Sequence, residues 1–270
     1  MREAFSKANS PIWMDSSTKK QCQALTNHVG GAQNLSNITG SSSYERFSIN
    51  QILKFSEDEE KWSQTESVSL ISSFVVSLLI GSYAPIDFSD GSGMNILDIK
   101  KGFQVYSDST AASANQMCER KVESPNKSKT WNEKILNFCG KGMKEKLGEP
   151  IAAEEIVGEI SDYFKIRYGL AGRVIAATGD NPSSFAGLNI GSRDICLSMG
   201  TSDTVMMAME NPNPQVEGHV FVNPIDKESY MGMLCYKNGS LTRQMIRDKY
   251  NLTWDEFGGI LKDSAPTSGL

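Results

Sequence analysis

Long hydrophobic runs are missing from this chain. The longest apolar stretch, Phe74 to Ile80, is broken by Ser77 and falls far short of the ~20 residues that a membrane-spanning helix needs. Histidine is scarce: His28 and His219 stand far apart in sequence, so a histidine-based metal cluster is not expected. The five cysteines, Cys22, Cys118, Cys139, Cys196 and Cys235, are odd in number, widely spaced and without a C-x-x-C pair. That speaks against a disulfide framework or a zinc site and predicts free thiols. Basic charge is in deficit, with Lys+Arg 27 against Asp+Glu 32 and a formal net charge of -5. A nucleic-acid binder relies on clustered Lys and Arg to release counterions from phosphates, and here the basic residues are scattered and outnumbered. The start, Met1 to Lys7, is charged and has no apolar run behind it, so no secretory signal is expected and the cytoplasm is the expected location. There is no G-x-x-x-x-G-K-[ST] loop and no G-x-S-x-G elbow, and Gly91-Ser92-Gly93 lacks the third glycine of a dinucleotide fingerprint. Hydrolase and zinc-enzyme readings drop out with them.

What remains is an α/β pattern. Hydrophobic residues are 39% of the 270, enough for a sizeable core in one large domain or two smaller ones. Caps at Asp15 to Thr18, the spacing of Cys22, Leu25 and Val29, and a stop at Gly30-Gly31 predict a first helix, and a second is expected from Asn50 to Phe55. Glu66 to Gly81 reads as a core helix because it is apolar on nearly every side. Ile86 to Gly93 is rich in Asp, Ser and Gly and reads as turns. Residues 102–128 are polar, carry five serines and lack any sustained period, which predicts a surface insertion or disordered loop. Helical patterning is expected again at Trp131 to Leu136 and at Ile156 to Tyr168.

The chemistry concentrates after Gly172. Arg173 to Thr178 reads as a buried strand running into Gly179-Asp180-Asn181-Pro182, where Asn181 is the expected cap of a helix with Pro in its first turn. Asp194 to Met199 and Val205 to Ala208 are expected to pair as a hairpin around Gly200-Thr201-Ser202-Asp203-Thr204. Both features fall where α/β folds place ligands, outside strand ends. A carboxylate beside an amide suits gripping a polyol. Asp180 can serve as general base in phosphoryl transfer even at an ordinary carboxylate pKa, because the proton leaves only as the new O–P bond forms. The Gly200 turn offers N–H groups and hydroxyls of Thr201, Ser202 and Thr204 to phosphates, with Mg²⁺ the divalent cation that would neutralise them. On spacing alone, an ordinary structural turn outweighs the catalytic reading at both places.

Five ordered segments add a resemblance that spacing does not supply. They are Ser10 to Thr18, Ser43-Tyr44-Glu45-Arg46-Phe47, Ile86 to Asn95, Thr178-Gly179-Asp180-Asn181-Pro182 and Leu197 to Thr204. Together they resemble the FGGY carbohydrate kinases, and within them the eukaryotic type of xylulose kinase. The likeness continues through Asn238-Gly239-Ser240-Leu241 to about Phe257, with residues 102–128 as the departure. The resemblance implies the actin-like/ribonuclease-H-like pair of α/β domains, with residues 1–189 ending the first and 190–270 opening the second. It implies Asp180 as the base, with Asn181 and Arg46 holding sugar hydroxyls, and Gly200, Thr201, Ser202, Thr204 and Trp254 on the nucleotide side. The implied ligands are D-xylulose or a related sugar, ATP and Mg²⁺, with neither nucleic acid nor membrane as a partner. Against that family, the strand hairpin that precedes the sugar site and the later glycine-rich adenosine site are not found in this sequence. The expectation is therefore weak or absent kinase activity for the chain in isolation.

Overall fold

The computed structural model describes residues 4–100, 129–191 and 194–264. The reading of 102–128 as an insertion, and Cys118 within it, lie outside them. Helix α1 (Lys19–Val29) begins after Thr18 and ends at Gly30, whose left-handed φ of 90° sends two N–H groups back to the last turn. It buries Leu25 and Val29. Helix α2 (Ala32–Thr39) follows, ended by Gly40 at φ 86°. Helices α3 (Ser48–Ser56) and α4 (Glu59–Gln64) complete this first layer, α3 matching the expected second helix.

Helix α5 (Ile71–Ile80) is shorter than the expected core helix and is not buried all round. Val76 is 3% exposed, yet Ile71 is 79% and Leu78 54% exposed, because Val76, Leu79 and Ile80 pack with Val157, Ile160 and Val174 while Phe74 meets the ring of Phe5. The Asp-Ser-Gly stretch read as turns forms helix α6 (Phe88–Gly93), capped by Asp87. The pair β1 (Leu97–Asp98) and β2 (Thr130–Trp131) is antiparallel, with Asp98 opposite Thr130. Helices α7 (Glu133–Phe138) and α8 (Met143–Leu147) follow. The segment expected to be helical from Ile156 splits into strand β3 (Ile156–Glu159) and helix α9 (Asp162–Tyr168). Strand β3 pairs antiparallel with β4 (Arg173–Ile175), Gly158 opposite Val174. Only Val174 of β4 is buried, so the expected buried strand is two-faced.

Helix α10 (Asp180–Gly187) leads to a four-stranded antiparallel sheet ordered β5-β6-β8-β7: β5 (Ile195–Met199), β6 (Asp203–Met209), β7 (His219–Val222) and β8 (Tyr230–Tyr236). The expected hairpin is β5–β6, in register from Ile195 opposite Met207 to Met199 opposite Asp203. Helices α11 (Gly239–Lys249) and α12 (Trp254–Asp263) close the described chain. The main core joins Leu25, Leu35, Ile49, Ile96 and Trp131 to Val220, Val222 and Tyr230 from β7 and β8. Gly40 sits where α2 meets β7. A Cβ there would come within 1.9 Å of the Val220 carbonyl oxygen, so no side chain fits.

Candidate active site

Asp180 is the first residue of α10, and its cap is Gly179 in extended backbone, two residues earlier than the Asn181 cap expected from sequence. The shift follows from Asn181 being occupied otherwise. Its backbone N–H donates to Asp180 Oδ1 at 2.8 Å and its side-chain amide reaches the same oxygen at 3.2 Å. Asp180 is exposed and lies at the helix N-terminus, where the macrodipole favours its negative charge. The two residues expected to grip a polyol are thus locked to one another.

Behind them lies a second carboxylate that sequence reasoning passed over. Asp90, in α6, accepts a hydrogen bond from Ser72 Oγ of α5 at 2.5 Å. Its other oxygen, Oδ1, is where a Cβ on Gly179 would arrive, at 2.8 Å. Position 179 is restricted to glycine by this seat, although its φ of -66° is open to any residue. Burial raises the Asp90 pKa, Ser72 opposes the rise, and the charge of Asp180 adds to it. One turn deeper, Asp87 is fully buried and accepts from the N–H groups of Ser89 at 2.8 Å and Asp90 at 3.3 Å. Burial, with the nearby Asp90 charge second, pushes its pKa up to about 7. Three carboxylates therefore run from core to surface at the junction of α6 and α10. An Asp three residues after an N-cap Asp was the visible signal, but its partner, Gly179, is remote in sequence.

Arg46 is half-buried and lies between two rings, 5.3 Å from the Trp13 centroid and 5.8 Å from that of Tyr44. It makes no hydrogen bond to Asp180 or Asn181. The Gly200–Thr204 segment is the β5–β6 turn. Thr201 is exposed and Ser202 half-buried, whereas Thr204 already belongs to β6 and is buried. The turn is held from α11: Arg243 pairs with both oxygens of Asp203, at 2.6 and 3.1 Å, and Ser240 N donates to the Gly200 carbonyl at 3.1 Å. That pairing lowers the Asp203 pKa. Gly239 allows the approach, since a Cβ there would fall 2.3 Å from the Asp203 carboxylate. Trp254 opens α12, is 52% exposed, and stacks under the Arg247 guanidinium at 4.4 Å. It touches Phe257 rather than the Gly200 turn. Surface concavities lined by Thr130, Glu133 and Lys144, and by Leu188, Asp194 and Cys196, contain none of these residues.

Comparison with known proteins decides what this arrangement belongs to. The chain is 44% identical to mouse (Mus musculus) xylulose kinase over 269 residues, which is 98% of the chain and 44% of that protein. It is a homologue of the eukaryotic xylulose kinases. Among solved structures, ligand-bound xylulose kinase from Lactobacillus acidophilus superposes with a TM-score of 0.74 at 20% identity, covering 95% of this chain and 48% of that one. Plasmodium falciparum glycerol kinase with ADP superposes with a TM-score of 0.72 at 13% identity, covering 94% and 47%. The homologue thus has the actin-like/ribonuclease-H-like fold of the FGGY sugar kinases. It spans less than half the length of the xylulose kinases it matches. No family model matches it. None of its described helices is long and apolar enough to cross a membrane.

Proposed function

We propose that this protein is an ATP-dependent sugar kinase that converts D-xylulose to D-xylulose 5-phosphate in the cytoplasm, with Asp180 as general base. The observation that carries the reading is the exposed Asp180–Asn181 pair at the start of α10, backed by Asp90 and fixed by Gly179. Asp180 accepts the proton of the attacking hydroxyl as the bond to phosphorus forms. Asn181 and Arg46 hold neighbouring hydroxyls, Arg46 through a planar fork that serves two oxygens. Gly200, Thr201 and Ser202 face the nucleotide phosphates, with the Thr204 expected beside them buried behind the turn in β6, and Trp254 supplies an aromatic plane on the nucleotide side. Among the described residues no group of three or more His, Cys, Asp or Glu side chains is placed to hold a metal. Mg²⁺ is accordingly assigned to the phosphates of ATP, and no step is routed through it. The division of the chain at residues 189/190 belongs to the same proposal: Asn189, just past α10, is left-handed at φ 50°, and Gly191 N donates to Asp194 Oδ2 ahead of β5.

The test measures D-xylulose binding by calorimetry and D-xylulose 5-phosphate formation from ATP by mass spectrometry, for wild type and Asp180→Asn. Removing the base is expected to lower transfer by about 10²–10⁴-fold. Turnover that survives Asp180→Asn unchanged eliminates the base. Binding of another pentulose or polyol in preference to D-xylulose moves the reading to a related kinase. A second reading, a protein that binds sugar without turnover, is favoured by the open Gly200 turn, whose Asp203 is already engaged by Arg243. A sugar-dependent melting shift with no phosphorylated product would select it.

A further inference from the structure

The Tyr44–Arg46 segment carries two buried donors with nothing to donate to. The Tyr44 hydroxyl and Arg46 Nε are shielded from water and have no hydrogen-bond partner. A buried donor without an acceptor is costly, the more so when charged, so the pair points to an acceptor that arrives from outside. Two cations flank the same ring: the Arg46 guanidinium at 5.8 Å and the Lys237 ammonium at 4.5 Å from the Tyr44 centroid. Neither forms an ion pair among the described residues. The corner therefore has positive charge, orphan donors and no carboxylate to meet them.

Lys237 comes from the other half of the candidate site. It directly follows β8, whose last residue, Tyr236, lies opposite Asp203 at the exit of the Gly200 turn. Two residues later Gly239 packs on Asp203, and Ser240 N holds the Gly200 carbonyl. The backbone of Lys237 is thus fixed to the phosphate-side turn while its ammonium reaches the sugar-side segment. An exposed cation–π contact is weaker than a hydrogen bond between charged groups. An incoming anion wins Lys237 from the ring.

We infer that Tyr44, Arg46 and Lys237 form a binding site for the phosphoryl group as it passes from nucleotide to sugar, with Lys237 touching its oxygens. The inference rests on the sugar-kinase reading above. In the step it serves, the bond from the γ-phosphorus to the ADP oxygen breaks and its electron pair stays on ADP. A bond from the sugar oxygen to that phosphorus forms, and the hydroxyl proton passes to Asp180. The negative charge on the three transferring oxygens is what Lys237 and the Arg46 Nε–H meet.

The experiment compares affinities of the purified chain for D-xylulose and D-xylulose 5-phosphate at fixed ionic strength, for wild type, Lys237→Gln and Lys237→Arg. Lys237→Gln is expected to weaken D-xylulose 5-phosphate by about tenfold or more while D-xylulose stays within about twofold, and Lys237→Arg to restore most of the loss. An unchanged affinity for the phosphorylated sugar, or equal losses for both sugars, overturns the site. If wild type binds neither sugar, the sugar-kinase reading fails by itself. The anion site is then read from the Arg46 Nε–H resonance during titration with inorganic phosphate. A shift in wild type that disappears in Lys237→Gln sustains the site, and no shift in wild type overturns it.

Discussion

The two ends of the candidate site hold their carboxylates by opposite means. At the α6–α10 corner, Asp87, Asp90 and Asp180 approach one another without a cation between them, and the inner two are raised in pKa by burial first. At the β5–β6 turn, Asp203 is met by Arg243 and its pKa is lowered. The corner is tight and like-charged, whereas the turn is open and compensated. The difference suits their proposed tasks. A base must be set against the core with little freedom, while a phosphate-facing loop needs free N–H groups and no surplus negative charge.

Glycine substitution breaks the contrast most sharply. Gly179→Ala drives a Cβ to 2.8 Å from Asp90 Oδ1, an overpacking expected to cost about 1–3 kcal/mol and to abolish D-xylulose binding in calorimetry. Gly200→Ala meets only the Ser202 carbonyl oxygen, at an ordinary 3.5 Å, so its melting temperature should stay at that of wild type. Equal effects at the two positions would erase the distinction between corner and turn.

Proton linkage gives the next effect. Asp87 has its pKa raised from 3.8 to about 7, so the folded state holds a proton that the unfolded chain releases. Its contribution is complete below pH 3.8 and is lost as pH rises towards about 7. Asn can still cap α6, so Asp87→Asn should remove that decline, gaining on the order of a few kcal/mol at neutral pH relative to pH 4. His219, half-buried between Phe47 and Phe221 and bonded to Ser41 Oγ, has its pKa lowered from 6.5 to about 4 by burial. It works in the other direction, with stability lost as pH falls from 6.5 to about 4. Denaturation of wild type and Asp87→Asn across that range separates the two, and parallel pH curves would remove Asp87 as the cause. Asp203 should show no such decline, since its lowered pKa keeps it ionised through the whole range.

Smaller consequences are expected at the turn. Arg243→Ala frees Asp203 and should speed amide exchange in the β5–β6 turn while leaving D-xylulose affinity unchanged. Trp254→Ala, at an exposed position, should leave both melting temperature and sugar affinity at wild-type values and alter nucleotide binding alone. A loss of sugar affinity in either variant would mean that the turn and the corner act as one unit.

Much of this contrast was legible in the residues, and the rest was hidden for identifiable reasons. The glycine stop of α1, the β5–β6 hairpin and the place of Asp180 outside a strand end follow from local chemistry. Asp87 to Gly93 was ambiguous because Asp, Ser and Gly serve turns and helix caps equally. Burial of Phe88 and the bond from Phe88 N to the Ile151 carbonyl select the helix. Ile156 to Tyr168 read as one helix because a strand and a helix adjoin there, and the strand exists through pairing with β4. Helix α5 looked fully buried because apolar residues occur on every side, although Ile71, Val75 and Leu78 remain exposed. Asp90 escaped notice since its role depends on Gly179, a contact no local pattern records. Whether Arg46 meets Asp180 through a sugar was likewise beyond periodicity, and the two are not hydrogen-bonded to each other.

The short ladder of β1 and β2 has an engineering consequence. Asp98 and Thr130 stand opposite each other, and Leu97 opposite a fully buried Trp131, so whatever chain connects them leaves and returns at one point. Once such a clasp is closed, doubling the length of the connection costs only about 0.6 kcal/mol. The clasp is thus a socket, holding the two ends of its connection side by side whatever that connection's length.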